Sequence, residues 1–392
     1  MAILWLKSMA VIAYYLSSGV YRFQFAAAVK LRFLLSIADP PIDEVIERGC
    51  VPRLVELIGD HVSYPDLTFE AAQALVIITG ATLEQAKVVI EHGVVPKFVE
   101  LLASEKHDLQ KLAVQSLGSV SAQSIACRDL VLGHGALTPL LYLLEKYSEP
   151  SMLECTILLQ IASRTLAILC YGSPPPPLDQ VKSVLPTLRK LIHLHPTVGV
   201  LGNVVEDACL ALSCLSNGTV EQIQVVIDAN ICERLVILQR HTQHEIVEPA
   251  VRIVGNIFRG SDSQIQKVIE ADIIPPLVNL LEDENYEAEV KWEAVCALSN
   301  ATLRGSNNRT LKMCLVGLKN ILKVGEAEKG DRVNLYAQII KELDGFWKIE
   351  NLKTSPDNGE MATKILRSYW KREDDKYNEV NMKFALLLYL YE

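Results

Sequence analysis

The chain has 392 residues, half of them hydrophobic and 22% charged, which supplies a large core and excludes a disordered chain. A formal net charge of −9 excludes a general nucleic-acid binder, since nothing would neutralise phosphates broadly, and an acidic body favours basic partners. Nine cysteines with no CxxC pair give neither a zinc module nor a disulfide framework. Cys170, Cys209, Cys214 and Cys296 sit in apolar helical patterns, where a free thiol behaves as a small hydrophobe, and a reducing compartment is expected.

Residues 1–20 are apolar with one charge, Lys7, and the uninterrupted run 9–16 is too short to cross a bilayer. They read as an atypical apolar helix covering the first turn of a helical array, so no membrane partner is expected. From there a phrase recurs: a polar residue, a small residue, two apolar residues, often Pro, then an apolar stripe. It reads ERGCVPRLVELI from Glu47, EHGVVPKFVELL from Glu91 and GHGALTPLLYLL from Gly133, then DANICERLVILQ from Asp228 and EADIIPPLVNLL from Glu270. The Gly49 position returns at Gly93 and Gly135, then as Asn230 and Asp272.

A second phrase follows each time at helical period, as FEAAQALVI from Phe69, QKLAVQSLGSV from Gln110 and LQIASRTLAIL from Leu159. It continues as EDACLALSC from Glu206, EPAVRIVGN from Glu248 and KWEAVCALSN from Lys291. Its centres, Gln73, Gln115, Arg164, Leu210, Arg252 and Cys296, are spaced 42, 49, 46, 42 and 44 residues apart. A period of roughly 40–47 residues with short apolar helices is the armadillo/HEAT pattern. Helices apolar on most faces are stable only when stacked. The expected fold is all-α: a right-handed superhelical solenoid of about eight armadillo repeats, some truncated, over 21–370, with a tail over 371–392. The third spacing, 46, contains SPPPPLDQ from Ser173, read as a polyproline loop.

Several long matches fall in chain order. DPPIDEVIERG (39–49), AKVVIEHGVVPKFVELL (86–102), DACLALSCLSNGT (207–219), VRIVGNI (251–257), NILKVGEAEK (320–329) and KIENLKTSPDN (348–358) together resemble the importin-α family. The resemblance implies a nuclear-import adaptor, moving between cytoplasm and nucleus, that holds basic localisation-signal peptides on its inner face. There the family carries a Trp and, four residues later, an Asn in repeat after repeat. Indole rings form slots for Lys and Arg stems, Asn side chains bond the extended peptide backbone, and acids receive the cationic heads.

The chain departs from this pattern in its first half. The Trp/Asn positions of the family's major cargo site read Gln73 and Ile77, Gln115 and Ser119, and Arg164 and Ile168, while Gln123 stands at an acidic position. The major site is therefore expected to be lost, and a degenerate scaffold that binds no classical signal is the alternative reading. In the second half, Arg252, Asn256, Asp262, Glu293, Asn300 and Asn320 match the family's minor cargo site. The resemblance further implies a whole repeat missing between Gly260 and Ser263, and half a repeat missing between Asn300 and Asn320, where LRGSNNRTLKM stands. Both losses are expected to shift the phase of the groove. The first 20 residues hold one Lys and no Arg, so the basic arm that binds importin-β is not seen there. The last repeat, which in the family meets the export receptor, is retained.

Enzyme signatures are missing. There is no Gly-rich phosphate loop, and His193 and His195, two apart on a helix, point in different directions. His241 and His244 share a face with Glu245 as the only acid expected close by, and they read as a solvated face. No metal or cofactor is expected.

Overall fold

The computed structural model describes residues 2–60, 62–148, 156–194, 200–283, 285–304, 308–330, 333–343 and 345–370. The expected tail, 371–392, lies outside them. Among the described residues the chain is helical, with no strand. It divides into two compact units, 1–215 and 216–392, a division that falls inside the expected solenoid.

The first unit opens with α1 (Ala2–Leu16) and α2 (Tyr21–Leu35), and α1 packs on α2 and on the Cys50–Leu57 helix of the next repeat. Three-helix repeats follow: α3 (Ile42–Glu47), α4 (Cys50–Leu57) and α5 (Pro65–Thr79); α6 (Leu83–Glu91), α7 (Val94–Leu101) and α8 (His107–Gln123). Then come α9 (Ile125–Gly133), α10 (Leu137–Tyr147) and α11 (Thr156–Cys170), and α12 (Leu178–Val181), α13 (Leu185–Ile192) and α14 (Val200–Ser216), whose end marks the unit boundary. The third helices stack side by side, α2 on α5, α5 on α8 and α8 on α11.

The second unit repeats the scheme with α15 (Val220–Asp228), α16 (Cys232–Leu238) and α17 (His244–Ile257), then α18 (Asp262–Glu270), α19 (Ile274–Glu282) and α20 (Ala288–Arg304). A long helix, α21 (Asn308–Glu328), interrupts it before α22 (Leu335–Glu342), α23 (Gly345–Asn351) and α24 (Gly359–Tyr369).

The first phrase places its small residue at the break between first and second helix. Gly49, Gly93 and Gly135 hold φ of 67°, 79° and 75°, and Asn230 and Asp272 hold φ of 55° and 59°. A left-handed residue ends one helix and turns the chain into the next. Glycine does this without steric cost, and Asn and Asp are the side chains that tolerate it best. Gly93→Ala is expected to cost about 1–2 kcal/mol although open space surrounds its Cβ position, whereas Asp272→Gly is expected to be neutral or stabilising. Urea titrations of the two variants check both signs.

The two expected losses behave differently. Around Gly260 the array runs on without a scar. The link from α17 to α18 ends in a capping box, Ser261 with Gln264, as Thr219 and Gln222 start α15. The helix order of the repeat is intact on both sides of this link. Between Asn300 and Asn320 no helix pair intervenes: most of LRGSNNRTLKM belongs to α20 and α21, and α21 packs directly on α19 and α20.

Eight cysteines among the described residues are free thiols. Burial pushes the Cys50 thiol up to about 11 and those of Cys296 and Cys314 up to about 12, and it raises Cys170 further still. Cys50, Cys170 and Cys314 are buried in the core, and the upward shifts disfavour the nucleophilic thiolate.

Candidate functional site

Two side chains four residues apart on a helix share a face. On α5, α8 and α11 the paired positions of the second phrase form the strip left open between buried neighbours. Gln115 and Arg164 are exposed, and Gln73, Ile77, Ser119 and Ile168 are half-buried. Gln115, Ser119, Arg164 and Ile168 come together in one cleft of about 550 Å³, which Glu206 and Asp207 of α14 close on the far side. Gln73 and Ile77 do not line it.

The cleft is occupied by its own ion pair. Arg164 Nη1 lies 3.1 Å from Asp207 Oδ1, and Ser163 Oγ donates to Asp207 Oδ2 at 2.9 Å. The Asp207 side chain is 3% exposed and that of Arg164 is 56% exposed. Burial pushes the Asp207 carboxyl up to about 6, against the downward pull of Arg164 and of the Ser163 hydroxyl. A cationic guest would meet the guanidinium first and find the acid taken. Gln123 has a structural reason too. Its Nε2 donates to the carbonyls of Thr79 and Ala81, both at 3.3 Å, where α5 ends. A carboxylate cannot donate those bonds.

In the second unit α17 and α20 pack face to face. Arg252 Nε donates to Glu293 Oε1 at 2.7 Å, and its Nη2 donates to Glu248, so one cation sits between two carboxylates. Asn256 is buried and donates Nδ2 to Ser216 Oγ at 3.0 Å, while Asn300 donates Nδ2 to the Gly255 carbonyl at 3.3 Å. Arg252, Asn256, Glu293 and Asn300 therefore share one inter-helix face. Asp262 stands apart, exposed on the first turn of α18, and Asn320 is half-buried on α21.

Sequence reasoning missed Asp207, Glu206 and Glu248. The signal was present: EDACLALSC and EPAVRIVGN both begin with Glu one helical turn before the inner-face position. It also misassigned the acid near His244. That residue is Glu287 of the next repeat, 3.6 Å from His244 Nδ1, and Tyr286 beside it packs on the imidazole. His193 closes α13, and its pair member His195 lies outside the described residues. None of the four tryptophans, Trp5, Trp292, Trp347 and Trp370, stands at an inner-face position of the second phrase. Among the described residues no three His, Cys, Asp or Glu side chains converge as a metal site requires. No described helix is long and apolar enough to cross a membrane.

Comparison with known proteins bears on this arrangement. The Armadillo/beta-catenin-like repeat family matches residues 83–122 and 261–303, which cover α6–α8 and α18–α20. The crystal structure of an engineered protein is similar with a TM-score of 0.56 at 22% identity, covering 93% of this chain and 99% of that one. Importin subunit alpha-1a of Oryza sativa subsp. japonica is 40% identical over 433 residues, covering 91% of this chain and 80% of its own length. That alignment is longer than the 392-residue chain, so the rice protein carries internal segments that this one lacks. Importin subunit alpha-2 of Arabidopsis thaliana is 42% identical, covering 90% of this chain and 77% of its own, and importin subunit alpha-8 is 34% identical over 92% of each. The stacked three-helix repeats and these matches along nine-tenths of the sequence place the chain in the importin subunit alpha family.

Proposed function

We propose that the chain is a nuclear-import adaptor, not an enzyme, that works by non-covalent peptide binding between cytoplasm and nucleus. A basic signal peptide of a cargo protein lies on the α17–α20 face. Asn256, Asn300 and Asn320 bond its backbone, and Glu293 and Asp262 receive its Lys or Arg heads. The observation that carries this reading is the pair of carboxylates, Glu248 and Glu293, around the single guanidinium of Arg252, which leaves the face net negative beside two side-chain amides. A peptide cation can share Glu293 without leaving Arg252 unpaired, because Glu248 remains. The export receptor would meet α22–α24.

The α8–α11–α14 cleft favours a second reading for the first unit, a scaffold that no longer takes a basic signal, since Arg164 and Asp207 satisfy each other. Fluorescence-polarisation titration with a monopartite and a bipartite basic peptide, each at two salt concentrations, tests both readings. Saturable, salt-sensitive binding is expected from the intact chain. Asn256→Ala with Glu293→Ala should weaken it by about tenfold or more, since removing a hydrogen bond to the peptide backbone or to a cationic head costs of the order of 1 kcal/mol or more. A helical chain that binds neither peptide would refute the adaptor mechanism.

A further inference from the structure

The proline run between α11 and α12 has no part in the function just proposed. Four consecutive prolines, Pro174 to Pro177, supply no backbone N–H donor. A residue that precedes proline is driven to extended or polyproline II backbone, which holds Pro174, Pro175 and Pro176 there. Pro177 follows with φ −54° and ψ 134°. A polyproline II helix turns once in about three residues, so Pro174 and Pro177 share a face. Both are exposed, as is Pro175, while Pro176 is buried. The run is thus a ridge with one side seated on the repeat and the other in water.

Both ends of the ridge are fixed. Arg128, buried on α9, donates Nη1 to the carbonyl of Tyr171 at 2.7 Å and to that of Pro174 at 3.1 Å. At the other end the Pro177 carbonyl accepts from the Gln180 N–H at 3.0 Å as α12 begins. Tyr171, 65% exposed, stands beside the entrance. A recognition segment already held in its bound conformation saves the ordering entropy that a free peptide must lose.

The geometry points to a docking ridge for a protein whose aromatic-lined groove reads contiguous prolines, independent of any basic-signal binding. The flanks narrow the class. Tyr171, Gly172 and Ser173 precede the run, and Leu178, Asp179 and Gln180 follow it, with no Lys or Arg among them. The next cation, Lys182, lies 3.0 Å from Asp179. A groove of the SH3 type, which adds an acidic pocket for a flanking cation, finds none. The partner reads proline rings and adjacent apolar side chains alone, as a profilin-type groove does.

The test is isothermal titration of the full chain with purified profilin as the probe and an SH3 domain as a second arm. Saturable binding of profilin is expected, displaced by a free oligoproline peptide and weakened at least about tenfold by Pro174→Ala with Pro177→Ala. Both substituted positions are exposed, and circular dichroism checks that the variant keeps its helices. The proposal is overturned by a folded chain that binds no profilin at about 1 mM, by binding that the double variant keeps, or by an SH3 domain that binds more tightly than profilin.

Discussion

Asp207→Asn is expected to stabilise the folded chain by about 2–3 kcal/mol near pH 7.5 and by only about 1 kcal/mol near pH 4.5. The carboxyl titrates at about 6 in the fold, against an ordinary value of 3.8. Between those two values the folded chain keeps a proton that the unfolded chain releases. The contribution of this group to stability therefore falls as pH rises from about 4 to about 6, and it stays low above that. The direction is the reverse of that for a surface carboxylate in an ion pair. The reason is burial: an ionised oxygen with 3% of its side chain exposed loses more solvation than Arg164, itself 56% exposed, gives back. Asparagine carries no charge at any pH and can still accept from Ser163 Oγ. The arginine it leaves behind remains solvated. Urea unfolding of the two proteins at both pH values decides the matter. A difference that is the same at both would mean that Asp207 is not the group that titrates.

The repeat architecture was legible because it rests on local chemistry. A residue that must turn left-handed has to be Gly, Asn or Asp, so Gly49, Gly93, Gly135, Asn230 and Asp272 announce their own backbone. The apolar centres of α5, α8, α11, α17 and α20 follow because a helix surrounded by neighbours must be apolar on nearly every side. The open strip followed too, since positions four apart share a face.

What escaped was the pairing between repeats. Arg164 meets Asp207, Gln123 meets the end of α5, and His244 meets Glu287, each across a stacking interface of about one repeat. Such a partner depends on the rotation of one helix against the next, and packing sets that rotation, not any local propensity. The division after Leu215 was hidden for the same reason, since the α14 phrase looks like its neighbours. The family resemblance points to Arg252, Asn256, Glu293 and Asn300. The structure then showed that Asn256 and Asn300 bond the scaffold through their amide nitrogens, a use that no spacing reveals.

Arg128→Met should act in the opposite direction, with a loss of about 3 kcal/mol or more in urea unfolding. Arginine at 2% exposure is rare unless every donor has a partner, and this one is well supplied. Nε and Nη2 donate to Asp129 Oδ1 at 2.9 and 2.7 Å, and Nη1 holds the carbonyls of Tyr171 and Pro174. Methionine matches the length of the stem but donates nothing. Two carbonyls at the base of the proline ridge then lose their donor, and the ridge loses its N-terminal anchor. Gly172 shows how close this packing is: a Cβ there would lie 2.4 Å from Arg128 Nη1. Arg128→Lys should recover only part of the loss, because a single ammonium cannot reach a carboxylate and two carbonyls in the fixed fork of a guanidinium. The ridge should report the same change independently, through faster proteolytic cleavage between Tyr171 and Leu178 in Arg128→Met than in the parent chain. A variant as stable as the parent, with unchanged cleavage, would show that the ridge is held by α11 and α12 alone.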